Sequence, residues 1–317
     1  MVEESRPVAF LGLGALGLPM ADTLLRAGFP LQVYNRNPAR GEDLRAAGAS
    51  NAAWPAEAVH GAELICLCLS DGSAVHQVLL GFDREDESST GAGDTARAAI
   101  QSLSPGALVI DFSTIAPFES EAMAGALATR GVHYIDAPVT GGTEGAKAGT
   151  LSVLVGGLAE DVERARPLLE AVGNRVTHFG PVGAGQRAKA VNQVLVAGNF
   201  IAVAEAMALG QRLGLPMKEV VTALSSGAAG SWTLTQRSGN MLIGQFPLGF
   251  KLELHHKDLG IALAAAEDVG LDLPMCEQVE AMEATLIAAG YGSEDVSALA
   301  RLYESSGSLP AAEDGCG

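Results

Sequence analysis

The chain has 317 residues, with 20 Lys+Arg against 37 Asp+Glu and a formal charge of −17. At 48% hydrophobic and 18% charged residues it is too apolar for a disordered chain, and its length fits two domains. The acidic balance disfavours sequence-blind binding to phosphate backbones or anionic lipid, so neither nucleic acid nor membrane is an expected partner.

Pro7–Leu13 reads as a strand, Pro19–Ala27 as a helix closed by Gly28, and Leu31–Tyr34 as a second strand. Leu64–Leu69, Leu108–Phe112, Val132–Ile135 and Leu151–Val155 follow as further strands, with helical patterns between most of them. Short apolar strands separated by helices predict a parallel sheet covered on both faces. Gly81–Thr95 (GFDREDESSTGAGDT) is polar and acidic and reads as an exposed insertion. After Gly185 the pattern changes: Gln186–Leu213 has no proline and is apolar at helical spacing, so one long helix is expected, with mainly helical stretches on to Tyr303.

The predicted fold class is therefore α/β: a doubly wound Rossmann-type sheet over residues 1–183, joined by a long helix to an all-α domain over 184–304. Residues 305–317 (SSGSLPAAEDGCG) read as a disordered tail. Cys66, Cys68, Cys276 and Cys316 are too few and too scattered for a disulfide framework, and suit packing in a reducing compartment. The apolar run Val8–Leu18 is short, holds three glycines and lacks a basic leader, so neither a signal nor a membrane span is expected and the location expected is cytoplasmic.

Gly12-Leu13-Gly14-Ala15-Leu16-Gly17 is G-x-G-x-x-G, placed after a strand and opening a helix. The first glycine permits the tight turn, the second lets the backbone approach a pyrophosphate, and the third lets helix and strand pack closely. The pyrophosphate then sits at the positive end of the helix dipole. The second strand runs into Asn35-Arg36-Asn37. Where an acidic residue would bind the ribose diol of NAD, no carboxylate repels a 2′-phosphate, and the Arg36 guanidinium can pair with one. NADP(H) is the expected cofactor, with NAD(H) the alternative.

Lys189, Asn192 and Gln193 stand at i, i+3 and i+4 and share one face of the long helix. A lysine there can supply charge and a proton to an alkoxide forming as hydride reaches a carbonyl, provided burial and Lys257 tune it; a plain surface lysine is the alternative. Asp136-Ala137-Pro138-Val139-Thr140-Gly141-Gly142 ends a strand with a hydroxyl and two glycines, a turn suited to a carboxylate or simply to reversing the chain. Asp111-Phe112-Ser113-Thr114 puts hydroxyls at another strand's carboxyl end, where open α/β sheets bind ligands. His255 and His256 are adjacent and diverge on a helix, and no Cys/His group has zinc spacing, so no metal is expected.

Together these motifs resemble the β-hydroxyacid dehydrogenase family, relatives of 3-hydroxyisobutyrate and 6-phosphogluconate dehydrogenases. The resemblance rests on GLGALGLPMADTLLRAG, DFSTIAP, DAPVTGGTEGAKAGTLSVLVGG, GAGQRAKAVNQ and GFKLELHHKDL, in the family's order. It implies that Lys189 is the catalytic lysine and that Asn192 and Gln193 flank it at the substrate. It also implies that Ser113, Thr140, Gly141 and Gly142 hold the substrate carboxylate. Leu69, Ser70, Ala74 and Thr114 are then cofactor contacts, and Lys257 closes over cofactor and substrate. Dimers or tetramers built through the helical domain are implied as well.

The K-x-x-N-Q form at 189–193 is similar to 2-hydroxy-3-oxopropionate (tartronate semialdehyde) reductases, whereas Asn35-Arg36 is similar to NADPH-dependent reductases of glyoxylate or succinic semialdehyde. The reading is an NADP(H)-dependent oxidoreductase interconverting a short β-hydroxy acid and its semialdehyde. Tartronate semialdehyde reduction to glycerate comes first, with 3-hydroxyisobutyrate oxidation or succinic semialdehyde/glyoxylate reduction as alternatives. A non-catalytic interaction module would have lost Lys189, and imine reductases usually carry Asp or Tyr at that position.

Overall fold

The computed structural model describes residues 7–81 and 95–304. Most of the expected 81–95 insertion, and the whole 305–317 tail, lie outside the described residues. Two compact units divide between Lys189 and Ala190.

The first unit opens with β1 (Val8–Leu11), α1 (Gly17–Arg26), β2 (Leu31–Tyr34), α2 (Glu42–Ala46), β3 (Ser50–Asn51), α3 (Pro55–Val59), β4 (Leu64–Leu67) and α4 (Gly72–Leu79). It continues with β5 (Leu108–Asp111), α5 (Pro117–Ala128), β6 (His133–Asp136), β7 (Val139–Thr140), α6 (Gly142–Ala148), β8 (Leu151–Gly156), α7 (Ala159–Val172) and β9 (Gly173–Gly180). The sheet order is β3-β2-β1-β4-β5-β6-β8-β7, with β9 paired to β8. β1 pairs in parallel with both β2 and β4, Val8 opposite Leu31 and Leu64. The order reverses beside β1, which makes the carboxyl ends of β1 and β4 the switch point where such sheets bind ligands. Successive residues of β1 point to opposite faces. Val8 and Phe10 accordingly enter one core with Leu13, Met20 and Leu24, while Ala9 and Leu11 enter the other with Ile65, Leu67 and Val109.

One expectation is corrected. The sheet is not parallel throughout, because β8 runs antiparallel to β6 and β7, with Asp136 opposite Gly156 and Val139 opposite Val153. Only Gly141–Thr150 link β7 to β8, and they hold a seven-residue helix, shorter than the dozen or more residues a parallel crossover requires. The chain therefore turns back on itself. β9 runs parallel to β8 and is absent from the expected strands, since its side chains are mostly exposed and polar and carry no apolar signal.

The long helix α8 (Ala184–Arg212) leads into α9 (Met217–Leu224), α10 (Trp232–Gln236), α11 (Ser238–Leu242), α12 (Leu252–Glu267), α13 (Pro274–Ala288) and a closing 3-10 helix at Val296–Tyr303. By length and hydropathy α8 could cross a membrane. Here Ala197, Phe200, Ala204 and Met207 of α8 form the second unit's core with Leu259 of α12 and Val279 and Leu286 of α13. Asp295 anchors the turn before α12, its carboxylate accepting from the amides of Gly249, Phe250 and Ser297.

Candidate active site

Gly12 adopts φ +102°, and a Cβ there would collide with the Cys68 carbonyl; at Gly17 one would strike the Gly12 carbonyl. Both glycines are required by close packing of the turn against β4. Gly14 differs: nothing lies within 4 Å of the position its Cβ would take. Gly14 and Ala15 are exposed, directly before α1, whose first-turn amides have no intrahelical partners. A side chain at Gly14 would fill the space a pyrophosphate needs, so the loop fits a dinucleotide. Asn35 braces the loop, its Oδ1 accepting from Leu13 N at 2.9 Å while Nδ2 donates to the Asn37 carbonyl. Asn37 then caps the following turn through Ala39 N. These bonds hold Arg36 in a fixed, exposed turn with Asn37 at its side.

At the end of β4, Asp71 caps α4 by accepting from Ala74 N at 2.8 Å, and Ser70 Oγ donates to Asp71. Leu69 N donates to Ser113 Oγ at 2.9 Å. Ser113 is 2% exposed and also bonds the Asp111 carboxylate through its amide, so it ties the ends of β4 and β5 together. Thr114 beside it is half-buried.

Two buried carboxylates sit behind these strand ends. Asp111 accepts from Ser113 N and Tyr134 OH, each at 2.9 Å. Burial raises its pKa to about 6, against the hydrogen bonds from Ser113 and Tyr134 that lower it. Asp136 accepts from Gly183 N at 2.7 Å and Gln186 N at 2.8 Å, capping the first turn of α8. Burial raises its pKa to about 6 as well, opposed by those backbone bonds. The Gln186 side chain, 1% exposed, donates to the Ser113 carbonyl and accepts from Ile115 N. The start of α8 is thereby bolted to the ends of β5 and β6.

Lys189 lies three residues beyond Gln186 and is 6% exposed. Its Nζ donates to the Val139 carbonyl at 3.0 Å. Val139 precedes Thr140, and Gly141 and Gly142 follow at φ +131° and +65°, so ammonium and two-glycine turn are neighbours. In the second unit, Asn192 Nδ2 donates to Gln193 Oε1 at 2.7 Å and Gln193 Nε2 donates to Asp258 Oδ2 at 2.9 Å. Lys257 Nζ lies 3.0 Å from Asp258 Oδ1. Among the described residues no group of His, Cys, Asp and Glu could hold a metal. Sequence reasoning assigns no role to Asp136, Gln186 or Asp258. A carboxylate closing a buried apolar strand is the available signal for Asp136; Gln186 and Asp258 offer none.

Residues 7–180 match the family model for the NAD-binding domain of 6-phosphogluconate dehydrogenase. Residues 183–303 match the family model described as NAD-binding of NADP-dependent 3-hydroxyisobutyrate dehydrogenase. The chain belongs to the β-hydroxyacid dehydrogenase family. It is 37% identical to an NAD-dependent L-serine dehydrogenase of Pseudomonas aeruginosa, over 94% of this chain and 98% of that one. It is 34% identical to the 2-hydroxy-3-oxopropionate reductase of Escherichia coli, over 94% and 97%. The solved 3-hydroxyisobutyrate dehydrogenase of Mycobacterium tuberculosis with L-serine superposes with a TM-score of 0.80 at 29% identity, over 94% and 99%. This β-hydroxyacid dehydrogenase is an NAD(P)-dependent oxidoreductase acting on a small molecule, and it joins a Rossmann-type domain to a mostly helical one.

Proposed function

We propose that this β-hydroxyacid dehydrogenase prefers NADP(H) and interconverts a short β-hydroxy acid and its semialdehyde, with reduction of 2-hydroxy-3-oxopropionate to glycerate as the first assignment. One observation carries the reading: Lys189 Nζ is bonded to the carbonyl that precedes Thr140-Gly141-Gly142, which sets a proton donor beside a turn suited to a carboxylate. The loop at Gly12–Gly17, with Leu13, Ala15 and Leu16 between its glycines, holds the pyrophosphate. Asn35, Arg36 and Asn37 receive the adenosine ribose and its 2′-phosphate. Leu69, Ser70, Ala74 and Thr114 line the path from those strand ends.

A nicotinamide dinucleotide held by the glycine loop and by Asn35, Arg36 and Asn37 would supply or take up the hydride at the carbon that bears the substrate oxygen. Lys189 Nζ gives its proton to that oxygen on reduction and takes one on oxidation, and its positive charge stabilises the developing alkoxide. Thr140, Gly141 and Gly142 orient the carboxylate through hydroxyl and amide hydrogens, with Ser113 holding the strand ends behind them. Asn192 and Lys257 are assigned to the substrate as well.

The E. coli relative supports the first assignment, and the P. aeruginosa relative favours L-serine as the second; 3-hydroxyisobutyrate and succinic semialdehyde or glyoxylate complete the field. A steady-state panel of tartronate semialdehyde, methylmalonate semialdehyde, succinic semialdehyde, glyoxylate and L-serine, each with both cofactors, tests the reading. Tartronate semialdehyde with NADPH should give the highest kcat/KM; a higher value for L-serine with NAD overturns the assignment. We place the enzyme in the cytoplasm, where its free thiols at Cys66, Cys68 and Cys276 suit reducing conditions. We also propose a homodimer or homotetramer built on the second unit.

A further inference from the structure

We propose that Asp258 and Gln193 are positioning residues that set which end of the Asn192 amide is offered to the substrate; this rests on the reading that Asn192 and Lys257 serve the reaction. Gln193 is fully buried and Asp258 is 3% exposed, so neither presents itself to a ligand from solvent. Between them they form one chain of bonds: Lys257 Nζ to Asp258 Oδ1, Gln193 Nε2 to Asp258 Oδ2, and Asn192 Nδ2 to Gln193 Oε1.

The polarity of that chain is dictated from one end. An ionised carboxylate only accepts hydrogen bonds, so the Gln193 amide must turn its NH2 toward Asp258. Its Oε1 is then the atom left for Asn192, which must answer with Nδ2. Asn192 Oδ1 is thereby held away from Gln193, and an acceptor is presented rather than a donor. An acceptor at that place suits the hydroxyl of a hydroxy acid. The same carboxylate holds the Lys257 ammonium. One buried charge orders both side chains, and Gln193 transmits its sign without touching substrate.

An isosteric swap tests this. In Asp258→Asn the single remaining acceptor is claimed by Lys257, the amide NH2 faces Gln193, and both amides downstream must invert, so that Asn192 offers Nδ2. Gln193→Glu alone sets two carboxylates against each other. In the double variant the carboxylate introduced at position 193 accepts from both neighbours and restores the Asn192 orientation with the charge moved by one side chain. Assayed with the best substrate of the panel, each single variant should lose kcat by about ten- to hundredfold, the scale of one charge-assisted hydrogen bond. The double variant should recover to within about threefold of wild type, with the KM for cofactor little changed. A double variant no better than the worse single, or Asp258→Asn with wild-type kcat, overturns the proposal. Should Asp258→Asn fail to fold, Gln193→Met keeps the volume and removes both polar ends. It must then lower kcat by a similar factor, and full activity overturns the proposal. Loss of activity in Lys189→Ala alongside unaffected relay variants leaves the proposed reaction standing and removes only this relay.

Discussion

Lys189 keeps a cation nearly out of water, its ammonium donating to the Val139 carbonyl, an arrangement that packing alone does not favour. Lys189→Ala should lower kcat by about 100- to 10,000-fold, the range of a lost general acid. Cofactor affinity, read by fluorescence titration of NADPH, should be unchanged; full turnover would exclude the proton-transfer role. Arg36 is exposed and stands in a turn braced by Asn35 and Asn37, so its guanidinium is available to a phosphate without distorting the fold. Arg36→Asp should shift the ratio of kcat/KM for NADPH over NADH toward NADH by at least about tenfold, since it exchanges a charge-assisted pair for repulsion. An unmoved ratio refutes the selector assignment. At this scale the tight turn at Gly12 and Gly17, the exposed position of Arg36 after β2 and the place of Lys189 on α8 are legible in the sequence, because each follows from residue type at short spacing. Gln193 is legible only as an amide near the lysine, since its bond to a carboxylate 65 residues on leaves no trace in local spacing.

Elements owe their placement here to buried carboxylates as much as to apolar faces. α8 starts where it does because Asp136 accepts from the amide of Gly183 just before it and of Gln186 in its first turn, and Gln186 spans Ser113 and Ile115. β5 is joined to β6 through Asp111 and Tyr134. Both Asp111 and Asp136 have pKa values raised by burial to about 6, above the unfolded value of about 3.9. A raised carboxylate binds its proton more tightly in the folded state. Its contribution to stability is full below the unfolded pKa and is lost as pH rises through about 6. Asp111→Asn removes one such group. The unfolding midpoint of the variant minus that of wild type, followed from pH 5 to pH 8, should therefore become more positive with rising pH. A difference that stays flat shows that Asp111 is not ionised against a penalty. Most of the strands and the long helix are readable from apolar runs and helical spacing, and β9 is not, because an edge strand with exposed polar side chains has no such pattern.

Among the described residues of the second unit the apolar surface is uneven. Val191, Leu195, Leu209 and Leu213 of α8 and the turn after it are between 61% and 64% exposed, although other residues of that helix carry the second unit's core. In the homo-oligomer proposed above this face would be the seam, its burial of apolar side chains offsetting the repulsion between copies of net charge −17. Leu195→Lys with Leu209→Lys should shift the sedimenting species toward monomer; a monomeric wild type rejects the assembly outright. The sequence by itself determined the Rossmann-type unit, the glycine turn before α1, the helical second half and the family, because these depend on residue type at short spacing: glycines at a turn, apolar periodicity, a lysine on a helix face. Only the tertiary structure decided the reversal at β8, the clamp of Asp136 on α8 and the relay through Gln193 to Asp258. Each depends on which distant backbone or side-chain groups come within about 3 Å, and contacts between residues far apart in the chain are set by packing of whole elements rather than by any local pattern.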